Sequence, residues 1–211
     1  MILTPDPTAG TPLNAVFWSR RLVAASVVGL LVGAATSGAQ TVLGGTSFAG
    51  LANAVSPWVV APFLVGSTGR GRFSAPVLGL ITCVGEVAGY YLTAAARGFG
   101  VNPSMVALWV VAGVVGGLVF GLAGRSWRAA SGRERGLGAA LLIAAWWCEA
   151  IVTYGIHLGY FDDAVVFAVV GAALGFGLGR HARQHLAIAA WLVPALALGV
   201  GGELALWQVL I

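Results

Sequence analysis

The sequence has no lysine, only two cysteines and very few charged residues. All eleven basic residues are arginines, and charged residues make up 9% of the 211-residue chain, compared with about 25% in an average soluble domain. Without a lysine the chain cannot form the Schiff base of a retinal protein, so that class of seven-helix protein is excluded. Cys83 and Cys148 both lie within apolar runs, which argues against a secreted disulfide framework. The scarcity of charge indicates an integral membrane protein.

The sequence gives no support for a nucleic-acid-binding protein or for an enzyme. The formal net charge is +4, but the arginines are spread over short loops rather than gathered on one face, so no nucleic-acid partner is expected. The chain contains no HExxH motif, no nucleophile elbow and no Walker loop, and we therefore expect no catalytic residues and no enzyme. The two cysteines, the acids and His157 show no metal-ligand spacing. Neither a metal nor another cofactor is predicted.

The hydrophobic residues, 59% of the chain, are grouped into runs of about the 20 residues that a membrane-spanning helix needs. We therefore predict an all-α, polytopic transmembrane helical bundle with seven spans in a lipid bilayer. Residues 1–21 are expected to form a disordered cytoplasmic N-terminus, and residues 22–211 a single transmembrane domain. Arg20 and Arg21 also resemble the start of a signal peptide, but the run after them is longer than a typical signal region. The predicted spans are residues 22–43, 44–66, 75–96, 105–124, 137–160, 164–179 and 186–211.

The second predicted span, residues 44–66, allows two interpretations. Ser56 before Pro57 is typical of a helix N-cap followed by a first-turn proline, and Asn53 lies at the break before it. The stretch is either a full span kinked at Pro57 and Pro62, or a loop followed by a short or re-entrant helix, which gives six spans.

The arginines fall on alternate sides of the seven-span arrangement. Ten of them would share one side, and Arg97 alone would lie on the other. The positive-inside rule then predicts a protein of the bacterial cytoplasmic membrane with a cytoplasmic N-terminus and an external C-terminus. This alternation would be lost if residues 44–66 did not cross, which favours the kinked span.

Glu86, Glu149 and Glu203 lie inside apolar spans, where holding a carboxylate costs several kcal/mol and usually marks function. All three would lie at similar depths on spans that run in the same direction, so we expect them to meet in one cavity. The other residues predicted to bind a substrate or proton are Tyr90, Trp146 and His157, at helical spacing from the acids, and Asn53. The pattern predicts a protein that binds or transports a small molecule or cation, with proton exchange at the acids.

Glycines recur every four residues in the fourth and sixth spans, which predicts flat surfaces where another helix packs closely. These surfaces suggest the alternative function, a non-catalytic partner in a larger membrane complex or a homo-oligomer. Gly113 to Arg128 also aligns without gaps on Ala168 to Arg183, which suggests a parallel duplication of a two-helix hairpin. The glycines are Gly113, Gly117 and Gly121, and Gly171, Gly175 and Gly179.

Two segments, LANAVSPWVVAPFLVG (Leu51 to Gly66) and GLITCVGEVAGYYL (Gly79 to Leu92), resemble those of a family of small multi-pass membrane proteins common in actinobacteria. That family has no assigned function, so the resemblance implies no substrate or reaction. In size and hydrophobic character the chain is more distantly similar to the substrate-binding membrane subunits of energy-coupling-factor vitamin transporters. Those subunits usually have six spans, and the seventh span and external C-terminus predicted here differ from that pattern.

Overall fold

The structure, a computed structural model, describes residues 12–210 and contains helices but no strand within that range. Seven α-helices follow one another along the chain, and a 3-10 turn, Ser56–Val59, leads directly into the second. The fifth continues as a π-helix, Glu149–His157. The α-helices are α1 (Pro12–Leu43), α2 (Val60–Ser67), α3 (Ser74–Ala96), α4 (Pro103–Ala129), α5 (Leu137–Cys148), α6 (Phe161–Arg180) and α7 (His185–Leu210).

Six of the helices in the described part of the chain are long and apolar enough to cross a membrane. Their outward faces carry exposed large apolar side chains, such as Leu31, Val169 and Val193, which suit contact with lipid rather than water. The prediction of an all-α, multi-pass transmembrane bundle is therefore confirmed.

The predicted kinked span at residues 44–66 is wrong as a continuous helix, and the alternative of six spans plus a short helix is correct. After α1 the chain turns at Gly45, whose φ is +80°, and passes through a short 3-10 helix, Ala49–Ala52. The helix from Ser56 to Ser67 follows. At about 1.5 Å per residue it is roughly 18 Å long, too short to cross the ~30 Å hydrocarbon core. We call this helix, Ser56–Ser67, the half-length helix. The two glycines after α1 and Pro57 prevent one helix from running through the stretch.

The half-length helix nevertheless returns the chain to the end of the bundle where α1 begins. The Arg21 guanidinium donates to the Thr68 carbonyl just after α2. At the opposite end, Arg97 after α3 donates to the Ser37 carbonyl and the Thr41 hydroxyl, near the end of α1. Helices α1 and α3 therefore run in the same direction. Ten arginines lie at one end of the bundle and Arg97 at the other, as the alternation requires.

The first helix begins earlier than the sequence indicates. We expected a disordered segment up to residue 21 and a helix from Leu22, whereas α1 starts at Pro12. Proline is favourable at the first position of a helix because its fixed φ suits the helix and its missing N–H is not needed there. The rest of that predicted segment, residues 1–11, lies outside the described residues.

Glycines let α4 approach α3 closely. A Cβ on Gly117 would come within 2.7 Å of the Gly79 carbonyl oxygen, and one on Gly121 within 2.5 Å of the Ala75 carbonyl oxygen. Gly113 is less crowded, since its nearest neighbour, a Val87 methyl, would lie 3.5 Å from the added atom. The surface predicted on α4 is therefore occupied by α3 within the same chain.

The glycines of α6 do not form the flat helix-packing surface that their spacing suggests. Gly171 faces the Trp147 ring, Gly175 faces the Ile143 side chain, and Gly179 faces the His185 ring. Large side chains from α5 and the start of α7 fill the space that a neighbouring backbone would need. The two hairpins α3–α4 and α5–α6 thus pack in different ways, despite the similarity of their sequences.

The packing of α4 predicts opposite effects for two adjacent glycine-to-alanine substitutions. Gly117→Ala places a methyl group against the α3 backbone, which should lower stability by about 1–3 kcal/mol. Gly116→Ala meets only a Val59 methyl, at 4.0 Å, and should be neutral or stabilise by up to ~1 kcal/mol, because alanine favours the helix. Thermal unfolding of both variants in detergent measures the difference. Equal melting temperatures would contradict the close approach.

Candidate functional site

The carboxylate of Glu149 binds the beginning of the half-length helix. Its Oε1 atom accepts a hydrogen bond from the Val55 backbone N–H at 2.7 Å, and Oε2 accepts from the Ser56 N–H at 2.8 Å. Glu149 is 3% exposed and lies near the middle of the continuous helix formed by α5 and the π-helix. The half-length helix therefore begins deep inside the bundle, on a carboxylate from another helix.

This contact explains why an acid is tolerated at that depth. The first N–H groups of a helix have no partner within the helix and carry the positive end of its dipole. No water is present in the bilayer core to satisfy them. We expected Ser56 to cap this helix, but the cap residue is Val55 and no side-chain cap hydrogen bond is made. Glu149 supplies the acceptors instead.

Two polar residues of the π-helix that begins at Glu149, Thr153 and His157, contact α7. Such helices are rare and often occur at functional sites. Thr153 donates from Oγ1 to Glu203 Oε2 at 2.7 Å, and Trp207 donates from Nε1 to Thr153 Oγ1 at 3.3 Å. The His157 ring stacks on Trp207 with ring centres 4.7 Å apart. Thr153 on the π-helix therefore binds one carboxyl oxygen of Glu203 on α7.

A second polar cluster fixes the loop that precedes the half-length helix. Tyr90 donates from its hydroxyl to Gln40 Oε1 at 2.8 Å, and Gln40 donates from Nε2 to Asn53 Oδ1 at 2.7 Å. The Asn53 amide in turn donates to the Ala49 carbonyl at 3.0 Å. The same loop is held from the other side by Tyr154, which donates to the Gly50 carbonyl.

A cavity of about 720 Å³ lies between this loop and helices α3, α4, α5 and α7. Its walls are mostly apolar, and both cysteines of the chain line it. The polar groups on its walls include Gln40, Asn53 and Glu203. The aromatic side chains that line the cavity are Trp58, Tyr90, Tyr91, Trp109 and Phe120. This size and lining are typical of small-molecule sites.

The expectation that three acids share this cavity is wrong for two of them. Glu203 lines the cavity, whereas Glu149 is turned toward the helix that it caps. Glu86 is 0% exposed, and neither of its oxygens forms a hydrogen bond within residues 12–210. The Cys83 thiol, a weak donor one turn earlier, lies beside the Glu86 carboxyl. The similar depth of the three acids did not predict their surroundings, because their helices point the three carboxyl groups in different directions.

The other predicted residues divide in the same way. Tyr90 and Asn53 line the cavity, while Trp146 packs against Phe167 in the core and His157 stacks on Trp207. Trp58 and Trp109 were not expected as lining residues, because a tryptophan in an apolar run usually belongs to the membrane interface. The described residues contain no group of three His, Cys, Asp or Glu side chains that could hold a metal ion.

Comparison with known proteins gives a family but no function. The model of a family of unknown function (DUF6518) matches residues 14–209, in agreement with the resemblance to an uncharacterised family. No curated protein and no solved structure matches the chain. The function therefore has to be argued from the geometry of the cavity and its polar contacts.

Replacing Glu149 tests its contact with the half-length helix. Glu149→Leu leaves the Val55 and Ser56 N–H groups buried without an acceptor, which costs about 1–3 kcal/mol for each group. Glu149→Gln keeps one carbonyl oxygen, so its loss of stability should be intermediate. Thermal unfolding in detergent should rank wild type above the Gln variant and the Leu variant last. Glu134→Gln, at an exposed loop position, is the control, and a Leu variant as stable as wild type would refute the cap.

Proposed function

The chain belongs to a family of unknown function (DUF6518), and from its geometry we propose that it binds a small solute in the central cavity and moves it across the membrane. The observation that carries the proposal is the cavity of about 720 Å³ with aromatic residues on its walls, which lies between helices that are apolar enough to span a bilayer. Ligand sites in proteins have volumes of about 300–1,000 Å³ and similar linings. Binding is the first step of any transport cycle.

The half-length helix supplies the element that would move. Interrupted helices commonly form the binding sites of secondary transporters, because their free ends and the adjoining loops lie at the depth of the substrate. Here the loop residues Ala52 to Val55 line the cavity, and Glu149 holds the end of that loop. Protonation of Glu149 would remove an acceptor and loosen the loop. We propose this as the link between proton exchange and access to the cavity.

The proposal places the protein in the cytoplasmic membrane of a bacterium with its N-terminus in the cytoplasm. The support is the distribution of arginines, of which ten lie at one end of the bundle and one at the other. The positive-inside rule assigns the richer end to the cytoplasm.

The alternative function, a partner subunit that packs through its glycine surfaces, receives less support. Gly117 and Gly121 face α3, and Gly171 faces Trp147, so these positions are already filled within the chain. Enzyme activity is not part of the proposal. We therefore retain solute binding as the function that the geometry supports best.

Blocking the cavity tests the proposal. A Cβ on Gly202 or on Gly201 would meet no atom within 4 Å in the described part of the chain, but only Gly202 lines the cavity. Gly202→Trp should fill the site, and Gly201→Trp is the matched control on the same helix. We would screen a panel of cationic, anionic and neutral metabolites for thermal stabilisation in detergent. At least one compound should raise the melting temperature of wild type and Gly201→Trp by several degrees but not that of Gly202→Trp.

A panel without any such compound, or compounds that stabilise Gly202→Trp equally, would contradict binding in the cavity. Compounds that pass the screen would then be tested for uptake into proteoliposomes. Uptake that is lost in Gly202→Trp and retained in Gly201→Trp is the result expected of a transporter. Binding without uptake would limit the function to solute capture.

A further inference from the structure

We infer that the cavity selects organic monocations, molecules with an apolar body and a single positive group that pairs with the carboxylate of Glu203. This inference rests on the proposed function, because it names the class of solute that the same cavity would take. It follows from which polar groups on the wall are already engaged and which are left for a ligand.

Four of the polar side chains on the cavity wall, Gln40, Asn53, Tyr90 and Cys148, are held by hydrogen bonds within the protein. Gln40 uses its carbonyl oxygen to accept from Tyr90 and its amide nitrogen to donate to Asn53 Oδ1. Asn53 uses its own amide to hold the Ala49 carbonyl. The thiol of Cys148 donates to the Leu196 carbonyl. These groups fix the loop and the neighbouring helices, and a ligand that competed for them would break contacts that hold the wall together.

Glu203 is different because one of its two oxygens remains available. Oε2 accepts from Thr153, whereas Oε1 forms no hydrogen bond with any residue that the structure describes. Among the described residues, Glu203 is also the only acidic or basic side chain that lines the cavity. His157, which stacks on Trp207 nearby, is engaged through Nδ1 with the Val152 carbonyl and does not line the cavity. The cavity wall therefore carries one carboxyl group, and one oxygen of that group is free to bind a ligand.

The aromatic walls favour the same class of ligand. The ring faces of tryptophan and tyrosine carry partial negative charge and attract cations by about 0.5–2 kcal/mol for each contact. Trp58, Tyr90 and Trp109 line the cavity, and the rings of Trp58 and Tyr90 lie 5.7 Å apart. An anion would be repelled by the Glu203 carboxylate. A small hydrated cation would leave the apolar remainder of the cavity unfilled.

Two ions of the same shape and opposite charge provide the test. Tetraphenylphosphonium is an apolar monocation, and tetraphenylborate is its anionic counterpart. We would measure equilibrium binding of each to the purified protein in detergent, with Gly202→Trp as the measure of partition into the micelle. The corrected affinity of wild type for the phosphonium should exceed that for the borate at least tenfold.

Variants of Glu203 separate a role in binding from a role in stability. Glu203→Gln should weaken phosphonium binding at least tenfold and should lower the preference over the borate, while Glu203→Asp keeps the preference. Asp162→Asn removes an acid that does not line the cavity and should change neither affinity. Thermal unfolding of each variant shows whether it is folded. Thr153→Val provides a second check, because it removes the partner of Oε2 but should retain the preference for the cation.

Three results would overturn the inference, and each would refute a different part of it. Equal binding of both ions, abolished by Gly202→Trp, would retain the cavity as a binding site but refute selection by charge. Phosphonium binding that is unchanged in a folded Glu203→Gln variant would refute the role of this carboxylate. Binding of neither ion, with a neutral compound found in the thermal screen, would refute the cation class alone. If the thermal screen is also empty, the proposed function fails with it.

Discussion

The hydrogen bonds from the Val55 and Ser56 N–H groups to the Glu149 carboxylate are the contact on which the rest of the structure depends. A helix that begins inside a bilayer exposes donors that lipid cannot satisfy, and a carboxylate inside a bilayer requires donors or a counter-charge. The Val55 and Ser56 N–H groups supply donors to the Glu149 carboxylate, and the carboxylate supplies acceptors to them. The contact allows the second crossing to consist of a loop and a half-length helix. The loop occupies the place of the first half of a full helix, and its residues line the cavity.

The three membrane acids have three different environments, although their sequence settings are similar. Glu149 caps a helix, Glu203 faces the cavity through one free oxygen, and Glu86 is enclosed beside α1 without a hydrogen-bond partner in the described residues. Only Glu203 can contact a solute directly in this arrangement. Glu149 would act through the loop that it holds, as a group that positions the wall. In this account Glu203 binds the charged group of the ligand, and Glu149 controls the movement of the loop.

Much of the architecture follows from simple patterns, whereas the site does not. Runs of apolar residues predicted the spanning helices, the alternating arginines favoured a kinked span that crosses the membrane at residues 44–66, and Ser56–Pro57 indicated a helix start. Those last two signals were read as competing, yet a loop followed by a half-length helix satisfies both. The direction in which each acid points could not be predicted, because it depends on the change to a π-helix at Glu149 and on a contact between residues 94 positions apart.

Hydrogen exchange at the Val55 and Ser56 backbone amides is the most direct test of the central contact. Both amides should exchange slowly in the wild-type protein, far more slowly than those of the exposed loop residues Gly100 and Val101. In Glu149→Leu they should lose this protection while the amides within α3 keep theirs. Exchange at Val55 and Ser56 as fast as in the exposed loop of the wild-type protein, or protection that is unchanged without the carboxylate, would contradict the account.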